Sequence, residues 1–570
     1  MRFLFFRKSY HSHEIAPDEI FLDSSNLPDH DAFHFEGKVE RPVSRRAVFL
    51  VGAFFCIVAF AFASRATQLE AAQGAGFAQI SRENVLQSSI QFATRGIIYD
   101  RNGKELAWNE LPAPTSDASS TDEFALRQYA TMPGLAHLLG WLRYPKQDKS
   151  GFWWREEYSG MSGLELAYDT TLAGVNGSTM IETDARGRVQ RENIVSPPKN
   201  GSDLRLSIDA DVQSKLYEVL SQHARDMGFV GGAAAIIDVK TGELIALTSF
   251  PEYDHQAFTD EDSKAVAAAS NDASTPLLNR AISGLYAPGS IVKPIFAAAA
   301  LNENIISPDK ILVSTGAISV PNPYDPEHPS LFHDWAVHGP IDMRTALAVS
   351  SDEYFYTIGG GYGGQQGLGI DRIDKYAKIF GLSQLTGIAL IGEQDGVIPT
   401  PAWKAQTFGA DDPWRIGDTY HTAIGQYGFQ ITPIQAVRYV AAIANGGKLF
   451  TPQLLASSTP QFTQVNIPDK DLEIVREGMR MAVASDRFDA TVKALNIGGI
   501  KIAAKTGTAQ IGTHNQYMNS WSVGFWPAEN PHYAYAAVLE RAPAGTASGA
   551  APGLAPFFEW LIENHPEYLQ

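Results

Sequence analysis

Cysteine is almost absent: Cys56 is the only one among 570 residues. An intrachain disulfide is therefore excluded, and so is a zinc cage of the usual cysteine–histidine kind. Positive charge is also scarce, with 45 Lys and Arg against 63 Asp and Glu and a net charge of −18. That balance excludes a nucleic-acid binder, which needs a basic face. No internal repeat is present. What remains is ordinary for packed cores, 44% hydrophobic and 19% charged, and the length allows about three or four domains.

Residues 1–46 are polar and mixed in charge and read as a tail. Ala47–Ser64 follows without a charge and is just long enough to span a bilayer. Arg41, Arg45 and Arg46 precede it and Arg65 follows. The denser basic flank is expected in the cytoplasm, with the C-terminal bulk on the other side. Ala61-Phe62-Ala63 resembles a cleavage site, but the apolar run is longer than most signal cores and a long tail precedes it, so an uncleaved anchor is expected. Gln68–Leu86 reads as a helix leaving the bilayer.

Farther on, Ile97-Ile98-Tyr99, a turn at Asp100–Gly103 and Glu105–Trp108 read as a hairpin. Ala113–Phe124 reads as a loop and Asn193–Ser202 as a linker by composition. Leu204–Asp209 alternates like a strand, and Asp209 suits the cap of a helix over Val212–Ala224. Gly231–Ser249 holds two apolar runs around Lys240-Thr241-Gly242, a second hairpin. Helical patterns dominate from Pro288 to about Ala444, and strands return at Ser522–Phe525 and Tyr533–Leu539. Strands first, helices between and strands last predict an α+β domain whose two ends meet in one antiparallel sheet.

The chemistry centres on Tyr286–Leu301, where Pro288-Gly289 breaks the chain ahead of an Ala-rich helical run. Ser290 falls at the helix start and Lys293 three residues on, a spacing that shares one face. A serine hydroxyl keeps its proton at neutral pH, and a lysine held neutral beside it accepts that proton. The helix N-terminus favours a nearby oxyanion. Alone, S-x-x-K is a polar helix start. Two further motifs follow in order: Ser350-Ser351-Asp352 and Lys505-Thr506-Gly507-Thr508. Either alone is a cap or a turn; the ordered triple is the signature of penicillin-binding proteins and serine β-lactamases.

From about Gln91 onward the chain resembles a class B penicillin-binding protein, a D,D-transpeptidase. R-G-I-I-Y-D-R-N-G from Arg95 and G-L-E from Gly163 resemble the family's N-terminal pedestal. F-H-D-W-A-V-H-G, G-I-D-R-I, F-G-L-S-Q-L-T-G-I and the aspartate at Asp352 resemble the elongation-type penicillin-binding protein 2. I-G-Q-Y-G-F-Q resembles the family's I-G-Q-G run, with Tyr427 in place of a glycine. The resemblance implies a tail over 1–46, a membrane helix over 47–64, an elongated β-rich pedestal over 65–200 and a transpeptidase domain over 201–570, with helices on both sides of its sheet. It implies Ser290 as nucleophile, Lys293 as base, Ser350 as relay and Lys505 as holder of polarity and of the donor carboxylate. Thr506 and Thr508 would bind that carboxylate, Gly507 would let the substrate backbone lie flat, and the N–H groups of Ser290 and Thr508 would form an oxyanion hole. A carboxylate at Asp352 favours the charged ammonium and opposes Lys293 as base, an effect Lys505 would offset.

Implied partners are peptidoglycan stem peptides, β-lactams, a membrane glycan polymerase and a shape-determining scaffold, with no cofactor. Some elongation-type relatives carry zinc beside the second motif. Here Asp334 and His338 stand four apart, but the middle of the triplet is Ser351, a far poorer ligand than thiolate, and Asp325 and His333 offer no fixed geometry. No structural zinc is expected. No glycosyltransferase-sized segment separates anchor from transpeptidase, and no E-x-x-L-N segment lies between the second and third motifs, which argues against bifunctional enzymes and β-lactamases. A D,D-carboxypeptidase or a non-catalytic wall-synthesis scaffold remain the alternatives.

Overall fold

The computed structural model describes residues 44–83, 85–111, 124–183, 189–322 and 325–569. The tail over 1–43 and most of the Ala113–Phe124 loop lie outside them. The chain divides into two units, one of residues 1–86 with 182–190, the other of residues 87–181 with 191–570.

In the first unit, helix α1 runs Arg45–Glu83 without a break. Arg45–Ala72 within it is long and apolar enough to cross a membrane. The expected membrane helix and the helix expected to follow it are thus one element, because no glycine or proline pair interrupts the backbone between them.

The second unit begins with a small sheet. β1 (Ile98–Tyr99) pairs with β2 (Glu105–Glu110), β2 with β3 (Leu126–Tyr129), and β4 (Leu204–Arg205) returns to lie parallel to β1. The hairpin is as expected. The linker expectation is corrected in part: Asn193–Ser196 belongs to a strand, Val189–Ser196. The two pedestal motifs meet in this region. Arg95 Nε lies 2.5 Å and Arg127 Nε 2.8 Å from the two oxygens of Glu165, and all three side chains are fully buried. Burial pushes the Glu165 carboxyl up, but the guanidiniums of Arg127 and Arg95 outweigh it and hold the group below the usual range. Gly96 is required beside this cluster, since a Cβ there would stand 2.1 Å from Ser202 O.

Asp209 caps α2 (Ala210–Met227), accepting from the N–H groups of Asp211 and Val212. β5 (Gly231–Asp238) and β6 (Leu244–Phe250) form the second hairpin. After a 3-10 turn at Gly289–Val292 come α3 (Lys293–Asn302), α4 (Met343–Val349), α5 (Asp352–Gly360) and α6 (Pro433–Ala444). The chain closes with β7 (Ala503–Ile511), β8 (Tyr517–Trp526), β9 (Tyr533–Pro543) and α7 (Ala550–Asn564). The large sheet is antiparallel, in the order β6-β5-β9-β8-β7. Strands from both ends of the domain therefore meet in one sheet.

Strand alternation decides where the helices go. Ala233, Ala235 and Ile237 of β5 face a core shared with Ala297 of α3 and Val437 of α6. Ala234 and Ile236 face the opposite core, with Leu216 of α2 and Phe557 of α7. Small residues on both faces let helices pack close on either side of β5, as in other sheets buried on both faces. β7 is left at an edge, and the active-site turn rests against it.

Candidate active site

Three local structures bring the motifs together. The first is the turn carrying Ser290. Gly289 is left-handed at φ +54°, a conformation glycine adopts without a Cβ penalty, and its N–H donates to Gly425 O at 2.9 Å. Tyr439 donates to Ile291 O at 2.6 Å and Trp521 Nε1 to Ala287 O at 3.0 Å, pinning the turn from two sides. Ser290 sits on the 3-10 turn and Lys293 opens the α-helix, so a change of helix type falls between them.

The second is the junction of α4 and α5. Ser350 ends α4 in the left-handed region at φ +58°, uncommon for a residue with a side chain. Ser351 caps α5, its Oγ accepting from Tyr354 N at 3.2 Å. The motif is therefore a helix cap as well as a functional element. The third is β7, where Thr506 and Thr508 face the groove, Thr508 exposed and Thr506 half-buried, while Lys505 points inward. Gly507 is needed because a Cβ would lie 2.7 Å from Pro288 O. Its bare face thus meets the turn that carries Ser290.

Lys293 and Lys505 both reach Ser350 and both are fully buried. Lys293 Nζ donates to Ser350 O at 2.7 Å, to Asp352 Oδ1 at 2.6 Å and to Ser350 Oγ at 3.4 Å. Lys505 Nζ donates to Ser350 Oγ at 2.7 Å and to Thr506 O at 2.8 Å. Burial first, and the positive charge of Lys293 second, push the Lys505 amine well below the usual lysine range, against a smaller opposing pull from Asp352. Lys505 therefore turns inward to Ser350 and does not reach out to a carboxylate in the groove, in contrast to what the resemblance had implied. Ser290, Ser350, Asp352 and Thr506-Gly507-Thr508 line one cavity of about 870 Å³.

Asp334 and His338 are not on a helix. They pair with each other, Asp334 Oδ1 to His338 Nε2 at 3.5 Å, and His338 Nδ1 meets Asp489 Oδ2 at 2.8 Å. Ser351 Oγ donates to Asp334 Oδ2 at 2.6 Å. Burial pushes the Asp334 carboxyl up, but bonds from His338, Ser351 and the N–H groups of Asp352 and Glu353 win and hold it at about 2. Asp325 instead pairs with His328. Asp334, His338, Ser351 and Asp489 thus contact one another, and no group of three or more candidate ligands that could hold a metal ion stands among the described residues.

Sequence reasoning missed Tyr356 and His421, which line the same cavity. The His421 and Tyr356 rings lie 6.4 Å apart, and burial holds the imidazole below its ordinary range. A histidine within D-T-Y-H-T has no motif to betray it.

The sequence matches the penicillin binding protein transpeptidase domain over residues 232–559 and the penicillin-binding protein dimerisation domain over residues 117–206. It is 31% identical over 465 residues to peptidoglycan D,D-transpeptidase MrdA of Haemophilus influenzae, covering 75% of this chain and 68% of that protein. Among solved structures, Pseudomonas aeruginosa PBP2 in complex with WCK 5153 superposes with a TM-score of 0.68 at 28% identity, over 85% of this chain and 100% of that one. A chain of a peptidoglycan synthase complex that coordinates polymerization and crosslinking superposes with a TM-score of 0.68 at 25% identity, over 92% of this chain and 98% of that one. The matched domains, the relatives and the three motifs converging on one serine lead to one conclusion: the chain belongs to the penicillin-binding proteins, as a class B, elongation-type peptidoglycan D,D-transpeptidase.

Proposed function

We propose that Ser290 is the residue acylated by the donor stem and that Lys293, Ser350 and Lys505 form its proton relay. The observation that carries this is Ser350 Oγ, 2.7 Å from one buried amine and 3.4 Å from the other, between the first and third motifs. Burial biases Lys505 toward the neutral amine, so it accepts the Ser350 proton while Ser350 takes one from Lys293. Lys293 is then free to take the proton of Ser290 as its Oγ attacks the carbonyl carbon of the penultimate D-alanine. The N–H groups of Ser290 and Thr508 receive the oxyanion. The C–N bond breaks and the departing D-alanine amine collects a proton through Ser350. An amine of a second stem then attacks the ester, forms the crosslink and releases Ser290 with its proton restored. Thr506 and Thr508 hold the donor carboxylate. Asp352 anchors Lys293, and β-lactams acylate the same serine. In Ser290→Ala, covalent labelling by penicillin should vanish while the fold persists; labelling that survives ends this assignment. D-alanine release without crosslinked product would favour the carboxypeptidase reading.

The tail before Ala47 is proposed to be cytoplasmic, because Arg41, Arg45 and Arg46 flank the apolar run. A membrane glycan polymerase and a shape-determining scaffold are the proposed partners of the chain, the first supported by likeness to the chain from a synthase complex. Protease added to spheroplasts should digest the region after Arg65 and spare the tail, and the polymerase should co-purify in mild detergent; the opposite digestion pattern or a polymerase-free preparation contradicts the respective claim.

A further inference from the structure

Amide formation sets a proton problem that the buried relay solves only in part. An alkyl amine has an ordinary pKa of about 10.4, so an acceptor stem arrives as an ammonium, without a lone pair to attack with. On the way to the crosslink its nitrogen loses two protons. One returns to Ser290 Oγ, and the other has to leave the site. Lys293 and Lys505 are fully buried, which suits the first proton and not the second. The second needs a base that is neutral near pH 7 and in contact with water.

His421 has both properties. It stands on the helix Ile416–Ala423, is half-buried, and lines the cavity together with Ser290, Asp352 and Tyr356. The rings of Phe332 and Tyr356 hold it from 5.5 and 6.4 Å. Neither of its ring nitrogens forms a hydrogen bond among the described residues, and neither is sealed from solvent. His137 and His255, by contrast, each keep an unpartnered nitrogen buried in the protein. The backbone ties His421 to the nucleophile: Gln426 N donates to His421 O at 2.9 Å, and Gly425 O, just before it, accepts from Gly289 N at 2.9 Å, next to Ser290.

Burial holds the imidazole below its ordinary range, against smaller pulls from Asp418 and Asp352. Asp418, on the same helix, is engaged by Lys404 Nζ at 2.8 Å, and Tyr420 donates to Gly361 O at 2.7 Å. Asp352 and Tyr356 reach the cavity from α5, and His333 from the strand Ser330–His333. A carboxylate and a neutral imidazole in one cavity suit a cation that has to give up a proton: the first attracts it and the second accepts from it.

We propose that His421 is the base of the second half-reaction, taking one proton from the acceptor ammonium and passing it to water in the cavity. The neutral amine then attacks the Ser290 ester. The C–N bond forms, the C–O bond to Ser290 breaks, and the next amine proton returns to Ser290 Oγ through Lys293. The inference rests on the acyl-enzyme proposed above. Its test uses the full-length protein in detergent, a donor pentapeptide whose side-chain amine is acetylated, and two acceptor stems. The acceptors are identical except that the third side chain ends in an alkylamine or in an aminooxy group, which is already neutral at pH 7. Each reaction divides one acyl-enzyme between crosslink and hydrolysis, so the product ratio is independent of the acylation rate and of the folded fraction. In His421→Gln the ratio near neutral pH should fall about a hundredfold for the alkylamine and stay near wild type for the aminooxy acceptor. Between about pH 7 and 9 the wild-type alkylamine ratio should be level, while that of the variant rises about tenfold per pH unit as the amine loses its proton in solution. An unchanged alkylamine ratio, an equal loss for both acceptors, or parallel pH profiles overturn the role. So does a wild type that penicillin labels but that makes no alkylamine crosslink. Failure of penicillin to label Ser290 would instead overturn the parent assignment.

Discussion

Two clusters of buried charge, one in the pedestal and one in the active site, obey different rules. In the pedestal, Arg95 and Arg127 each aim Nε at one oxygen of Glu165, and Asp169 adds a second carboxylate 2.7 Å from Arg95. Cations and anions are matched. In the active site, Lys293 and Lys505 are both fully buried, and the carboxylate bonded to Lys293 is Asp352, itself 21% exposed in its side chain. A matched cluster holds structure in place. An unmatched one keeps an amine away from its preferred charged state, which is the condition for moving protons.

The largest effect should come from unmatching the first cluster. Glu165→Gln leaves two buried guanidiniums facing a neutral amide and is expected to destabilise by about 3–5 kcal/mol, read as a fall in thermal midpoint. A loss under about 1 kcal/mol would mean that the pedestal pairing is incidental.

Relieving the second cluster should have the opposite sign. Lys505→Met removes a buried amine and is expected to raise stability by about 1 kcal/mol, while penicillin acylation falls by more than about a hundredfold. The pH dependence follows from the lowered amine. Between its folded and unfolded pKa values the unfolded chain binds more protons, so wild-type stability rises with pH across that window. The advantage of the methionine variant is therefore largest below the folded value and shrinks as pH climbs toward the ordinary lysine range. An advantage that grows with pH would show that Lys505 is charged in the fold.

Asp334 tests whether the region beside the second motif behaves like the pedestal. Asp334→Asn should cost roughly 2 kcal/mol near neutral pH. Because the folded carboxyl is held at about 2, that contribution is present above the ordinary aspartate value and is lost as pH falls from there toward 2. A pH-independent difference would assign the effect to packing alone.

Much of this was legible in the chain because it is local. The hairpin at Gly231–Ser249, the Asp209 cap and the spacing of Ser290 and Lys293 depend on neighbours within a few residues. What resisted reading depends on distance. Nothing near Arg95 announces that its partner is Glu165, 70 positions away. Nothing in K-T-G-T reveals that Lys505 turns inward, or that the bare face of Gly507 meets Pro288. The left-handed turn at Ser350 follows from two helices meeting there, and Tyr356 and His421, which line the cavity, lie outside the three motifs.

The pairing of β5 with β9 joins Gly231 to Glu540, and this sets an order of events during synthesis. A chain emerging N-terminus first completes the Ser290 turn and α3 long before β9 exists. The meander of β7, β8 and β9 has no sheet to join except through that last strand, so Lys505 reaches Ser350 only after Tyr533–Pro543 has been made. Ser290 is translated early, but its surroundings are completed only with the last strand, so both ends of the domain must be made before the groove exists.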